Sequence, residues 1–150
     1  MPRPETEYFV FRVGGLAMGV RSEHVREVTR MGLVTPLPRA PAFVLGVVGQ
    51  RGEVFPVIDL LRFLGQGDSR PKPGARLFVA AVSGSVVAFV VEQVEGLRRI
   101  AEADRLPPPS GPGPGLEHVE GVSQPKLAGP LTLLDLPGIV AAARRALVSR

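Results

Sequence analysis

No cysteine occurs in this chain. That excludes a disulfide frame and thiolate chemistry, and it is compatible with a reducing compartment. Tryptophan is also absent and Tyr8 is the sole tyrosine, so platforms for stacking bases are scarce. The two histidines, His24 and His118, lie far apart in sequence without a partnered ligand spacing. A metal site needs more ligands than these supply, so no metal is expected. Long apolar runs are missing too. The longest uncharged stretch, Leu77 to Val91, is shorter than the ~20 residues a membrane helix needs, and Ser83-Gly84-Ser85 breaks it. It reads as two strands around a turn. The first ten residues, MPRPETEYFV, carry no apolar signal core. No direct membrane insertion is expected. No Gly-x-Ser-x-Gly occurs, and Ser83 and Ser85 have no nearby base. The expectation is a protein without catalysis or cofactor.

What is present is ample apolar material, 45% of 150 residues, enough for one domain with a buried core. The 18 glycines and 16 prolines fall largely in loops, notably Gly65 to Gly74 and Leu106 to Gly115. Net charge is +4, yet the basic residues are scattered, with Arg98-Arg99 and Arg144-Arg145 the only adjacent pairs. That pattern fits a solvated basic surface better than a nucleic-acid site. A basic nucleic-acid-binding β-barrel protein is the remote alternative.

Tyr8 to Val13 reads as a strand with large apolar groups on both faces, followed by the turn pair Gly14-Gly15 and a return strand, Leu16 to Val20. Ser22 is placed to cap a short helical turn, Glu23 to Val28, with Val25 and Val28 on its inner face and Glu27 pointing elsewhere. Val34 to Pro41 is extended and stiffened by proline. After the Gly65 to Gly74 loop, strands are expected at Arg76 to Val82 and Ser85 to Val91. A short turn follows at Glu92 to Val94, then extension over Gly96 to Ile100. Val119 to Val122 and Leu131 to Leu134 read as strands flanking a loop. The clearest helix is the last segment, Leu136 to Arg150. Leu136, Ile139, Val140, Ala143 and Leu147 recur at steps of three or four, with Asp135 as its cap.

The two halves resemble each other. A shift of 69 pairs Val13 with Val82, Gly15 with Gly84, Glu23 with Glu92, Val25 with Val94 and Leu37-Pro38 with Leu106-Pro107. A shift of 75 to 76 pairs Gly46-Val47 with Gly121-Val122, and Ile58-Asp59-Leu60 with Leu134-Asp135-Leu136. Two copies of one small β unit follow, each with about five short strands that suit a closed barrel. Neither is large enough for a strong core alone, so a shared core is expected, with a groove between the copies.

One stretch is not symmetric. Gly46 to Leu64 (GVVGQRGEVFPVIDLLRFL) reads as a glycine-broken hairpin, with Asp59 capping a short helix. Arg51 sits at the hairpin tip between Gly49-Gln50 and Gly52, with Val47, Val48 and Val54 as an apolar surround. The second copy carries Gln124 to Pro130 there, with no equivalent arginine. A residue kept for packing should recur; Arg51 does not, and two readings stand at this point, an exposed hairpin-tip arginine and a contact specific to one surface.

The quoted segments resemble the CheW family of bacterial chemotaxis coupling proteins: Tyr8 to Val13, Val25-Arg26-Glu27-Val28, Thr35 to Val44, Val87 to Val94, Gly121-Val122, and above all Arg51-Gly52 with Pro56 and Asp59-Leu60. The resemblance implies an all-β fold with short helices: two intertwined five-stranded SH3-like β-barrels sharing a core, plus a C-terminal helix. It implies one CheW-like domain over 1–150, with repeat subdomains at about 16–75 and 76–135, and with 8–15 and 136–150 packing across. It implies a non-enzymatic adaptor between methyl-accepting chemoreceptor tips and the regulatory domain of the histidine kinase CheA. Receptor binding then falls on Arg51, Gly46, Val47, Gly49, Gln50 and Gly52, and kinase contact on Val25, Glu27 and Val28. The chain departs from the family pattern at Gly49-Gln50, where an Asn and a bulky apolar residue are usual, and at Leu61, where Arg is usual. A divergent relative that binds receptors but not CheA is the alternative.

Overall fold

A computed structural model describes residues 4–72, 74–111, 113, 115–124 and 129–148. Residues 125–128 of the asymmetric loop lie outside them.

The first hairpin is β1 (Glu5–Val13) and β2 (Leu16–Arg21), joined by Gly14 and Gly15 at φ 59° and 76°. Strand β3 (Val25–Arg30) follows, then β4 (Val44–Gln50), β5 (Glu53–Ile58) and the one-turn helix α1 (Leu60–Phe63). The second half repeats this order. Hairpin β6 (Arg76–Val82) and β7 (Ser85–Val91) leads to β8 (Gln93–Ala101), the short β9 (Arg105–Leu106), hairpin β10 (Val119–Ser123) and β11 (Leu131–Leu134), and helix α2 (Leu136–Val148).

The strands form two sheets, ordered β8-β1-β2-β11-β10-β9 and β3-β6-β7-β5-β4. Each sheet takes its central hairpin from one sequence copy and its flanking strands from the other. Hairpin β1–β2 sits among strands of the second half, and β6–β7 among strands of the first. The exchange is made through parallel pairs, Leu133 beside Gly19 and Val57 beside Ala88. This interlocking is the physical form of two SH3-like barrels with one core.

That core lies between the sheets. Phe9, Phe11 and Val13 from β1 meet Phe78, Phe89 and Ile58 from the other sheet, and Leu136, Ile139, Val140 and Ala143 of α2 close one side. The opposite face of β1 buries Tyr8 and Val10 with Ile100, Leu131 and Leu133, so burial of β1 is two-sided. Inside the second barrel, Val48, Phe55, Val57, Leu77, Val79, Ala88 and Val90 form a third apolar cluster.

Both junction aspartates cap helices, as the repeat predicts. Asp59 Oδ1 accepts from Arg62 N at 3.3 Å, and Asp135 Oδ1 accepts from Gly138 N at 3.2 Å. Leu61, a departure from the family pattern, is buried in the central core over Gly14.

The predicted helical turn Glu23 to Val28 is corrected. Only Ser22–His24 makes a 3-10 turn, and the Ser22 hydroxyl donates to Glu7 instead of capping. Val25 to Arg30 is β-strand, paired to β6. Val25, Val28 and Thr29 are β-branched, and cross-strand pairing outweighs a weak cap signal. Val25 and Val28 therefore do not share an inner face. Val25 packs on the central core, whereas Val28 is exposed. The turn expected at Glu92 to Val94 is likewise absorbed into β8 from Gln93 onward.

Candidate hairpin-tip interaction site

The β4–β5 hairpin turns at Arg51 and Gly52, whose φ values are 51° and 80°. Positive φ at both central residues is the geometry that follows strand twist in a two-residue turn. Gly52 adopts it freely. For Arg51 the left-handed region costs roughly 1–2 kcal/mol. The fold would be served better by glycine or asparagine at this position.

Arg51 is nonetheless held. Its Nη1 donates to Glu27 Oε2 at 2.9 Å, while Gln50 Nε2 donates to Glu27 Oε1 at 3.0 Å. The Arg51 side chain is 76% exposed and Glu27 19%. Neighbouring Arg26 reaches Glu53 at 3.1 Å and lies over the Phe55 ring. Strand β3, at the edge of its sheet, is thus latched to the hairpin tip by two ion pairs and one amide. Such an exposed pair contributes at most about 1 kcal/mol, which does not exceed the backbone cost at Arg51. Its effect is orientation: the guanidinium keeps unused donors facing solvent.

The expected receptor group and the expected kinase group therefore meet. Glu27 from the second touches Arg51 and Gln50 from the first. The Gln50 departure is part of the latch. The Arg26–Glu53 pair carries no sequence signal, because opposite charges in segments this far apart follow no period.

Register separates the hairpin's faces. Val47 faces Pro56 and Gly49 faces Val54, on the side opposite the buried Val48 and Phe55. Val54 is 73% exposed, and a Cβ at Gly49 would meet nothing closer than 3.9 Å. Val47, Gly49, Val54 and Pro56 make a shallow apolar surface beside Arg51.

Gly46 has a different place. It is buried at φ 150°, and a Cβ there would stand 2.3 Å from the Thr35 carbonyl oxygen. The 34–35 segment crosses over it, bonded to Val47 in both directions at 2.8 and 2.9 Å. Its repeat partner Gly121 is crossed in the same way by Arg105 and Leu106. The feature recurs in both copies and supports the hairpin from beneath. Val25 is partly buried and Glu27 is engaged, so Val28 is the exposed member of the kinase group.

A second polar cluster ties the other barrel together. Tyr8 Oη donates to Glu120 at 2.8 Å, Arg21 pairs with Glu120 at 2.9 Å, and Arg105 reaches both. Burial pushes the Tyr8 phenol above its ordinary value near 10, Arg105 partly offsets this, and Glu120 adds to it. These groups satisfy one another and join β1, β2, β9 and β10. Among the described residues no cluster of His, Asp or Glu could hold a metal, and no helix is long and apolar enough to cross a membrane.

Comparison with known proteins agrees with this architecture. Residues 7–144 match the CheW-like domain model. The chain is 50% identical to Protein FrzA of Myxococcus xanthus, covering 99% of this chain and 93% of that protein. It is 36% identical to a chemotaxis protein CheW of Rhizobium meliloti (strain 1021), over 69% of this chain and 66% of that protein. Among solved structures, the scaffolding protein TtCheW from Thermoanaerobacter tengcongensis superposes with a TM-score of 0.80 at 25% identity, covering 93% of this chain and 89% of that one. The chain belongs to the CheW family of non-catalytic chemotaxis scaffold proteins.

Proposed function

We propose that the protein is a cytoplasmic coupler in a bacterial chemosensory array, joining methyl-accepting receptor tips to the regulatory domain of the kinase CheA. The observation that carries the reading is Arg51. It stands in strained backbone, contributes no net stability and is held by Glu27 with donors free. A receptor tip is a helical hairpin. Its apolar side would rest on Val47, Gly49, Val54 and Pro56, and Arg51 would meet a carboxylate or a helix-end carbonyl. Gly49 and Gly52 allow close approach; Gly46 holds the hairpin in place. Val28 on the edge strand β3 supports kinase contact nearby, with Glu27 linking that strand to the hairpin.

The test is recruitment of purified receptor-tip fragment and of CheA, each alone and together. Arg51→Ala is expected to weaken receptor binding about 30-fold, the equivalent of losing a central arginine worth ~2 kcal/mol. Val28→Glu is expected to weaken CheA binding with receptor binding retained. Wild-type protein that recruits receptor but never CheA would establish the divergent alternative. A salt-dependent shift of DNA without receptor recruitment would establish the nucleic-acid reading.

A further inference from the structure

Arg30 and Arg76 stand directly opposite each other at the end of the β3–β6 ladder, and both are exposed. Like charges in that arrangement repel. Among the described residues no carboxylate pairs with either, or with the exposed Lys72. The Met31 amide donates to Ala75 O at 2.7 Å, which sets the end of β3 alongside the loop that carries Lys72. Arg76 in turn lies opposite Val91 of β7, so Arg30, Arg76 and Val91 form one row on one face.

That row ends in a cavity. Val91 lines a hollow of about 420 Å³ with Ser69, Arg70, Lys72, Ala75 and Glu92. The Ser69 hydroxyl is buried in this wall and makes no hydrogen bond. Its backbone is fixed, because Ser69 N donates to the buried Asp59 at 2.9 Å. A buried hydroxyl without a partner is costly, and native structures rarely leave one. The local carboxylates are already engaged. Asp68 is shared between Arg62 and Arg70, and Glu92 accepts from the Gly14 amide. Lys72 in the lining, and Arg30 and Arg76 on the strands beside it, are therefore cations without a counter-charge among the described residues, next to a hydroxyl without a partner.

We propose that this cavity and its rim are a docking site for an acidic segment of a partner protein. One carboxylate would enter the hollow beside Lys72, with its methylenes resting on Ala75, and would accept from the Ser69 hydroxyl once that side chain turns outward. Neighbouring carboxylates would face Arg30 and Arg76. Charge complementarity identifies the occupant as acidic, and the depth of the hollow favours a side chain over a flat headgroup surface. The lining offers no aromatic ring on which a base would stack. The site shares no residue with the Arg51 hairpin and stands or falls independently of it.

The test is titration of a fluorescently labelled oligo-glutamate peptide against the full chain, with melting curves on every variant. Arg30→Gln with Arg76→Gln is expected to weaken binding about tenfold or more. The same variant should melt at the wild-type temperature or higher, since it relieves a repulsion. Ser69→Ala should weaken binding about threefold. Arg144→Gln with Arg145→Gln removes equal charge from the exposed side of α2 and should change binding less than about twofold. No wild-type binding, equal loss in the α2 variant, an unchanged Ser69→Ala protein, or a lowered melting temperature in the Arg30/Arg76 variant would each overturn the proposal. So would stronger binding to phosphatidylserine vesicles or single-stranded DNA than to the peptide.

Discussion

Alanine at Gly46 tests whether this residue acts as a support or as a contact. The new Cβ would lie 2.3 Å from the Thr35 carbonyl oxygen and 2.7 Å from Val34 Cγ1. The nearest obstacle is backbone, so no rotamer change relieves it. The φ of 150° adds a conformational cost of about 1–3 kcal/mol for a residue with a side chain. Moving the 34–35 segment aside breaks the two hydrogen bonds between Thr35 and Val47, at about 0.5–1.5 kcal/mol each. The expected loss is about 3–5 kcal/mol, a large part of the ~5–15 kcal/mol that holds a domain of this size together. Thermal denaturation followed by far-UV circular dichroism should show a fall of about 6–20 °C. Gly121→Ala meets Arg105 Cγ at 2.8 Å and the Leu106 carbonyl oxygen at 3.0 Å, looser contacts than at Gly46, and should lose less; Gly49→Ala meets open space and should melt at or above wild type. Receptor recruitment then separates the roles. Gly49→Ala should lose binding with stability intact; Gly46→Ala should lose both. A Gly46→Ala protein melting within about 2 °C of wild type would refute the reasoning.

Arg51→Gly should melt at or slightly above wild type, because relief of left-handed backbone offsets an exposed ion pair, while receptor recruitment falls; a clear drop in melting temperature would assign Arg51 to the fold. Asp59→Ala should cost about 2–3 kcal/mol in urea unfolding, since it strips both the α1 cap and the Ser69 anchor; Asp135→Ala, which removes the cap bond to the Gly138 amide, should cost about 1 kcal/mol. Tyr8 has a raised phenol pKa, so its contribution is complete below pH 10 and is lost as pH rises through the folded value. Wild-type stability should therefore decline on that alkaline limb, and Tyr8→Phe should flatten the decline. As the only tyrosine, its phenolate absorbance reports the titration directly.

Much of the local structure was legible. The boundaries of β6 and β7 agree with the apolar runs on either side of Ser83-Gly84, and both aspartates cap where the repeat placed them. The failure at Val25 to Val28 is instructive. Val25 and Val28 stand at a helical spacing of three, and pairing with β6, far along the chain, overrode it with a register shift between Val25 and Glu27. The exposure of Val54 was also hidden, because the run Val54 to Ile58 looks uniformly apolar although its faces differ.

Composition, turn chemistry and self-similarity are properties of neighbouring residues, so the sequence by itself determined the β-rich repeat, the Gly-turn hairpins, the capped helices and the singularity of Arg51. Partner choice is not local. Only the tertiary structure decided that each hairpin crosses into the sheet built by the other copy. It also decided that Gly46 lies beneath Thr35, that Glu27 clasps Arg51, and that Arg30 stands opposite Arg76. Each of these depends on which distant strand fills the next place in the sheet. Sheet register sets that, and no period along the chain records it.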